Sequence, residues 1–106
     1  MIRALTDSPI SVLHRSDTIT LTLRGRVERE DLDALCSDLD RFLRRSGARR
    51  LCCDVGEVQA DAVVVDALAR LQLVARRRGC RLTLVDPSSE LRELVGLMGL
   101  GEVLPG

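Results

Sequence analysis

The sequence predicts an α/β fold: a mixed sheet of four or five strands, parallel at its centre, with three main helices packed on it. Three observations carry this expectation. Residues 51–85 read as one strand–helix–strand unit. Residues 18–23 alternate apolar and polar side chains, as a half-buried strand does. Two further stretches, one before that unit and one after it, carry helical spacing.

The elements follow in order. Residues 1–9 read as a lead-in that ends at Pro9, and residues 10–106 as one domain. Ile10 to His14 is a first edge strand, and Ser16-Asp17 a turn. In Thr18 to Leu23, Ile19, Leu21 and Leu23 point one way and the threonines the other, so the first two strands form a hairpin. Gly25 breaks the pattern. Glu28, Glu30 and Asp31 then precede Leu32, Leu35, Cys36, Leu39, Phe42 and Leu43, which share one helical face. Arg41, Arg44 and Arg45 precede the stop at Gly47. Acids first and arginines last both suit the helix dipole.

Leu51 to Val55 is a short apolar strand, and Asp61 stands at an N-cap position. Ala62 to Arg78 is the crossover helix, with Val64, Val65, Leu68, Leu71 and Ala75 facing inward. Three valines in succession form helix poorly, because their χ1 freedom is lost, so burial has to compensate. Gly79 ends the helix and Arg81 to Val85 is the next strand, parallel to the first. Ser88 caps a last helix running to about Met98, with Leu91, Leu94, Val95 and Met98 inward and Gly99 as its stop. Glu102 to Leu104 is a candidate terminal strand.

Composition narrows the function. Net charge is zero and Phe42 is the one aromatic residue. With neither a basic excess nor stacking platforms, nucleic-acid binding is not expected. All 16 basic residues are arginine, which reads as codon usage in a GC-rich genome. No secretory signal and no apolar run of membrane-spanning length stands in the chain, so a cytoplasmic location with no membrane insertion is expected. The four cysteines, Cys36, Cys52, Cys53 and Cys80, are then reduced thiols. In each βα unit, helix ends and strand starts lie at the same edge. Arg44, Arg50, Arg76 and Arg81 should therefore gather at one end of the domain, and Asp54, Glu57, Asp61 and Asp86 at the other.

No catalytic set emerges. Cys52 and Cys53 are adjacent on a strand and point to opposite faces, so they do not chelate one metal together; both read as small core residues. His14 is the one histidine, and nothing supplies a third orienting group for a Cys–His nucleophile. Asp61 and Asp66 do not share a helix face. Gly56 is isolated, with no phosphate loop around it. No metal, cofactor or catalytic activity is expected.

The order of elements and several short motifs resemble the STAS domain family, whose name joins sulfate transporters and anti-sigma factor antagonists. The resemblance spans about residues 10–104. The family pattern has a strand ending in Asp, then Asp-Ser-Ser-Gly-Leu opening a helix, and a glycine 18 residues after that second Asp. Here Asp54 ends the strand, Asp61 opens the helix and Gly79 stands 18 residues on. Arg81-Leu82-Thr83-Leu84-Val85 matches the next strand. Leu91-Arg92-Glu93-Leu94 with Gly99-Leu100 matches the last helix, and Leu23-Arg24-Gly25-Arg26-Val27 the early glycine turn.

The resemblance implies a non-catalytic, protein-binding regulator like an anti-sigma factor antagonist, whose partner is an anti-sigma factor of the kinase type. The alternative it implies is an accessory subunit docking on the ATPase of a lipid-transport ABC system. In the family's antagonists the Ser after the helix-opening Asp is phosphorylated as a switch. That position is Ala62 here, followed by Val63, Val64 and Val65, and no Ser or Thr occurs from Ala48 to Leu82. The expected partner-binding residues are Gly25, Arg26, Glu57, Asp61, Ala62, Val63 and Val64. The valines can serve either as core or as docking surface.

Overall fold

The computed structural model describes residues 10–97. Strands β1 (Ile10–Arg15), β2 (Thr18–Gly25), β3 (Arg50–Val58) and β4 (Arg81–Val85) form one sheet in that order. β1 runs antiparallel to β2, while β2, β3 and β4 are mutually parallel. Helices α1 (Leu32–Ser46), α2 (Ala62–Arg77) and α3 (Ser89–Leu97) supply the second layer, and a 3₁₀ turn at Arg29–Asp31 leads into α1. The fold is thus α/β with a four-stranded mixed sheet and three helices. The candidate strand at 102–104 and the stop at Gly99 lie outside the described residues.

The core is one-sided. Ile19, Leu21 and Leu23 of β2 are fully buried, as are Leu51 and Cys53 of β3, while the intervening Thr20, Thr22, Cys52 and Asp54 are only half-buried. From the helix layer come Leu32, Leu35, Leu39 and Leu43 of α1 and Val64, Val65, Leu68, Leu71 and Ala75 of α2. The stripe expected on α2 is therefore the stripe observed. On α1, Cys36 and Phe42 pack only at the margin of the core.

Local chemistry explains the element ends. Gly47 closes α1 in the left-handed region, at φ 67°, and its N–H donates to the Leu43 carbonyl oxygen at 3.1 Å. Gly79, at φ 68°, plays the same part after α2, which ends at Arg77, one residue earlier than expected. A residue with a Cβ is strained in that conformation. Ser88 caps α3: its Oγ accepts from the Leu91 N–H at 3.1 Å. The hairpin turn is tied to the start of β3, because the Asp17 carbonyl oxygen accepts from the N–H groups of both Arg49 and Arg50.

α1 and α2 are laced by ion pairs on their outer surface. Arg70 reaches Asp33 of α1 at 3.2 Å and Asp66 at 3.3 Å, Asp66 also accepts from Arg29, and Arg78 grips Asp40 at 2.7 Å. The hydrogen bonds from Arg78 hold the Asp40 carboxyl below its usual range. Such exposed pairs contribute little free energy each.

Leu68 of α2 is wholly enclosed. Leu68→Ala is expected to lower unfolding stability by about 2–5 kcal/mol, measured by urea denaturation, since a fully buried leucine leaves a cavity that the packed sheet cannot close.

Candidate functional site

The two central strands converge on the start of α2. β2 and β3 stay in register from Thr18 opposite Arg50 to Thr22 opposite Asp54, then shift, so that Arg24 pairs with Glu57 and Gly25 with Val58. Gly25 is the last residue of β2, at φ 63°, and its carbonyl oxygen accepts from the Gln59 N–H at 2.6 Å. That bond draws the end of β2 against the segment that enters α2. Gly25, Arg26, Glu57, Asp61, Ala62 and Val63 therefore lie along one rim at the C-terminal edge of the sheet.

Asp61 caps α2. Its backbone is extended, and its Oδ1 accepts from the Val64 N–H at 3.0 Å while its carbonyl oxygen accepts from Val65. The cap turns the chain so that Ala62 projects into solvent and Val63 is half-buried against the core. Val64 is fully buried. It belongs to the core and presents no surface to a partner, which corrects the expectation that it lines the docking face. The reason is helical geometry: in the first turn Val64 and Val65 both fall on the sheet side, Val63 at its border and Ala62 outside.

Beside this rim, on the face of the sheet turned away from the helices, Thr22, Arg24, Asp54, Gly56, Glu57 and Asp86 line a polar depression of about 460 Å³. Gly56 lets two carboxylates close over the backbone: a Cβ there would stand 2.9 Å from Asp86 Oδ2 and 3.3 Å from Asp54 Oδ1. Asp54 Oδ1 also accepts from the Gly56 N–H at 3.0 Å. Sequence reasoning placed Asp54, Glu57 and Asp86 at this end but did not foresee a shared concavity. The signal available was the threonine face of β2, which marks an uncovered side of the sheet.

The opposite edge is basic, as the chain order required. Arg50 and Arg81 are register partners at the starts of β3 and β4, and the last turns of α1 and α2 carry Arg44, Arg45, Arg76 and Arg77. Asp17, Arg49, Arg50, Cys52, Arg81 and Thr83 line a depression of about 810 Å³ there. His14 is exposed; its ring meets Phe42 edge-on at 5.7 Å, and its Nε2 lies 3.0 Å from the Ser16 carbonyl oxygen.

The cysteines divide by face. Cys53 is core, as expected, and burial first, then the neighbouring Asp54 and Cys52, push its thiol up to about 12. Cys52 is not core: it lies half-buried on the uncovered face, because no helix packs on that side among the described residues. Among the described residues no group of three or more His, Cys, Asp or Glu is placed to hold a metal ion, and no helix is long and apolar enough to cross a membrane.

The family model described as "Mlab, STAS domain" matches residues 10–105. No curated protein matches the chain. Among solved structures, TM1081 of Thermotoga maritima superposes with a TM-score of 0.78 at 12% identity, covering 98% of this chain and 84% of that one. The anti-sigma factor antagonist SpoIIAA in its unphosphorylated form gives 0.65 at 16% identity, covering 90% and 84%. A serine-to-glutamate variant of RsbS from Moorella thermoacetica gives 0.75 at 16% identity, covering 88% and 80%. At these identities the likeness establishes the shared fold.

Two outcomes test the site's construction. Asp61→Ala removes the acceptor for Val64 and should lower stability by about 1 kcal/mol, read as a shift in the urea midpoint. In the folded chain an Ellman-type thiol reagent should modify Cys52 before Cys53, since a thiol held in its neutral, buried form is a poor nucleophile. Peptide mapping of the modified chain reads the order directly, and equal rates at the two positions would contradict it.

Proposed function

This chain belongs to the STAS domain family, and from that premise we propose that it is a non-catalytic regulator of the anti-sigma-factor-antagonist kind. Its partner is an anti-sigma factor of the kinase type, bound through the start of α2. One observation supports the reading above others. The Asp61 cap is intact, and the position that follows it, Ala62, is exposed at the tip of the rim formed with Gly25, Arg26 and Glu57. A partner reaching this rim meets a small apolar tip, Ala62 with the edge of Val63, flanked by the Arg26–Glu28 ion pair and Glu57.

The absence of a hydroxyl changes the regulation. A phosphate at a helix start would add roughly two negative charges beside free backbone N–H groups, enough to alter docking. Ala62 takes no phosphate, and no Ser or Thr lies between Ala48 and Leu82. The chain therefore binds without that switch, and control falls to its own abundance or to the partner.

A second reading, docking on the ATPase of a lipid-transport ABC system, uses the same rim. It is favoured by the matching family model, whose description is not that of an antagonist.

Affinity capture with the immobilised chain decides between them. Recovery of an ATP-binding anti-sigma protein supports the first reading, and recovery of a transporter ATPase the second. Ala62→Arg should weaken the captured interaction roughly tenfold or more, with circular dichroism unchanged, because an exposed tip accepts the side chain but an apolar interface does not accept an unpaired charge. Val63→Asp should weaken binding likewise. Undiminished binding by both variants would remove the start of α2 from the docking surface.

A further inference from the structure

Among the described residues the sheet has a second face that the helices leave uncovered, and its charge is arranged along the strands. The strand register sorts its residues into three rows. Arg15, Thr18, Arg50 and Arg81 make the row at the parallel strands' N-terminal edge. Leu13, Thr20, Cys52 and Thr83 make the middle row, and Thr22, Asp54 and Val85 lie in the third. The basic depression lies over the first row and the acidic one over the third. The basic depression counts three arginines against Asp17, and the acidic one three carboxylates against Arg24. Each therefore has an excess of two charges of its own sign. Among the described residues Arg15, Arg49, Arg50 and Arg81 are in no ion pair. Leu13, 57% exposed, and Val85, 39% exposed, also stand on this face.

A partner of one sign is attracted at one end of such a face and repelled at the other. A surface carrying the inverse pattern satisfies both ends, and a second copy of this chain carries it. We propose that this protein forms a two-fold dimer through its uncovered sheet face. The axis lies between the sheets and runs across the strands, above the middle row. Rotation about it reverses the strand direction and sets the arginine row of one copy over the Asp54 row of the other, twice over. Leu13 meets Leu13 of the second copy, and Cys52 meets Cys52. An isologous contact needs this self-complementarity. The small side chains of Thr20, Cys52 and Thr83 allow face-to-face packing at about 10 Å. Four strands of about five residues give a face of roughly 19 by 17 Å, a footprint of about 320 Å² per copy. A footprint of that size belongs to weak association, so the dimer is reversible and its charge pairs make it salt-sensitive. The dimer leaves Ala62 and Val63 of both copies open, and Glu57 is the one rim residue it shares.

Sedimentation of the full chain tests this. At low salt the mass should rise with concentration from 11.7 kDa toward twice that value, and added salt should reverse the rise. The paired variants Arg50→Glu with Arg81→Glu, and Asp54→Arg with Glu57→Arg, should each be monomeric alone and should form a mixed dimer when combined. A short bis-maleimide should join two wild-type chains, and Cys52→Ser should abolish the product while Cys36→Ser should not. The two wild-type measurements stand even if a charge-reversed variant fails to fold. A monomer at every concentration, charge-reversed variants that do not recover on mixing, or cross-linking independent of Cys52 would each overturn the proposal.

Discussion

The parallel pairing of β2 with β3 is the contact from which the other features of this molecule descend. It aligns Ile19 with Leu51 and Leu21 with Cys53, and so makes a continuous apolar floor out of two strands that are far apart in sequence. A shift of one residue would carry the threonines of β2 into the core and its leucines into water. The register is therefore fixed by burial, and everything hung from the strand ends inherits its position. The crossover from β3 through α2 to β4 can close only over the floor that this pairing makes. The N–H of Gln59 can reach the carbonyl of Gly25 because β2 and β3 end together. The rim at the start of α2 is a product of sheet geometry as much as of its own residues.

The same pairing separates charge. Parallel strands and their return helices put all strand starts and helix ends at one edge. The arginines after α1 and α2 then join those opening β3 and β4, and the acids gather at the opposite edge. Zero net charge thus coexists with a large internal polarity. Each residue was placed by a local rule, such as complementing a helix dipole, and the topology added the local placements into a global one. Gly56 is part of that sum: without a Cβ it allows Asp54 and Asp86 to stand close together at the acidic edge.

Much of this was written plainly in the chain, and the exceptions have physical causes. The alternation of residues 18–23, the Asp61 cap and the glycines at 47 and 79 each encode local geometry, and each reads directly. The core stripe of α2 was legible for the same reason. Val64 was ambiguous because a first-turn valine can face either way until the cap fixes the helix phase. Cys52 was misjudged because a short apolar strand looks buried on both faces, and only the assembled layers reveal that one face has no helix over it among the described residues. The polar depressions were invisible because each joins residues of two strands with residues of the turns beside them, at spacings in sequence that have no period. The candidate rim was found through likeness to a family, since no composition or spacing marks it.

The ion-pair ladder across α1 and α2 has a mechanical consequence. Arg70 and Arg78 fasten α2 to α1 near both its middle and its end, while seven buried side chains fix its underside. Sliding by one helical turn, about 5.4 Å, would part every one of these contacts at once. Of these contacts the buried underside contributes most of the free energy, since exposed ion pairs each contribute little. On the proposed reading, a partner at the tip of α2 meets a helix start already ordered by the Asp61 cap and the buried Val64 and Val65, so little ordering entropy is lost on docking.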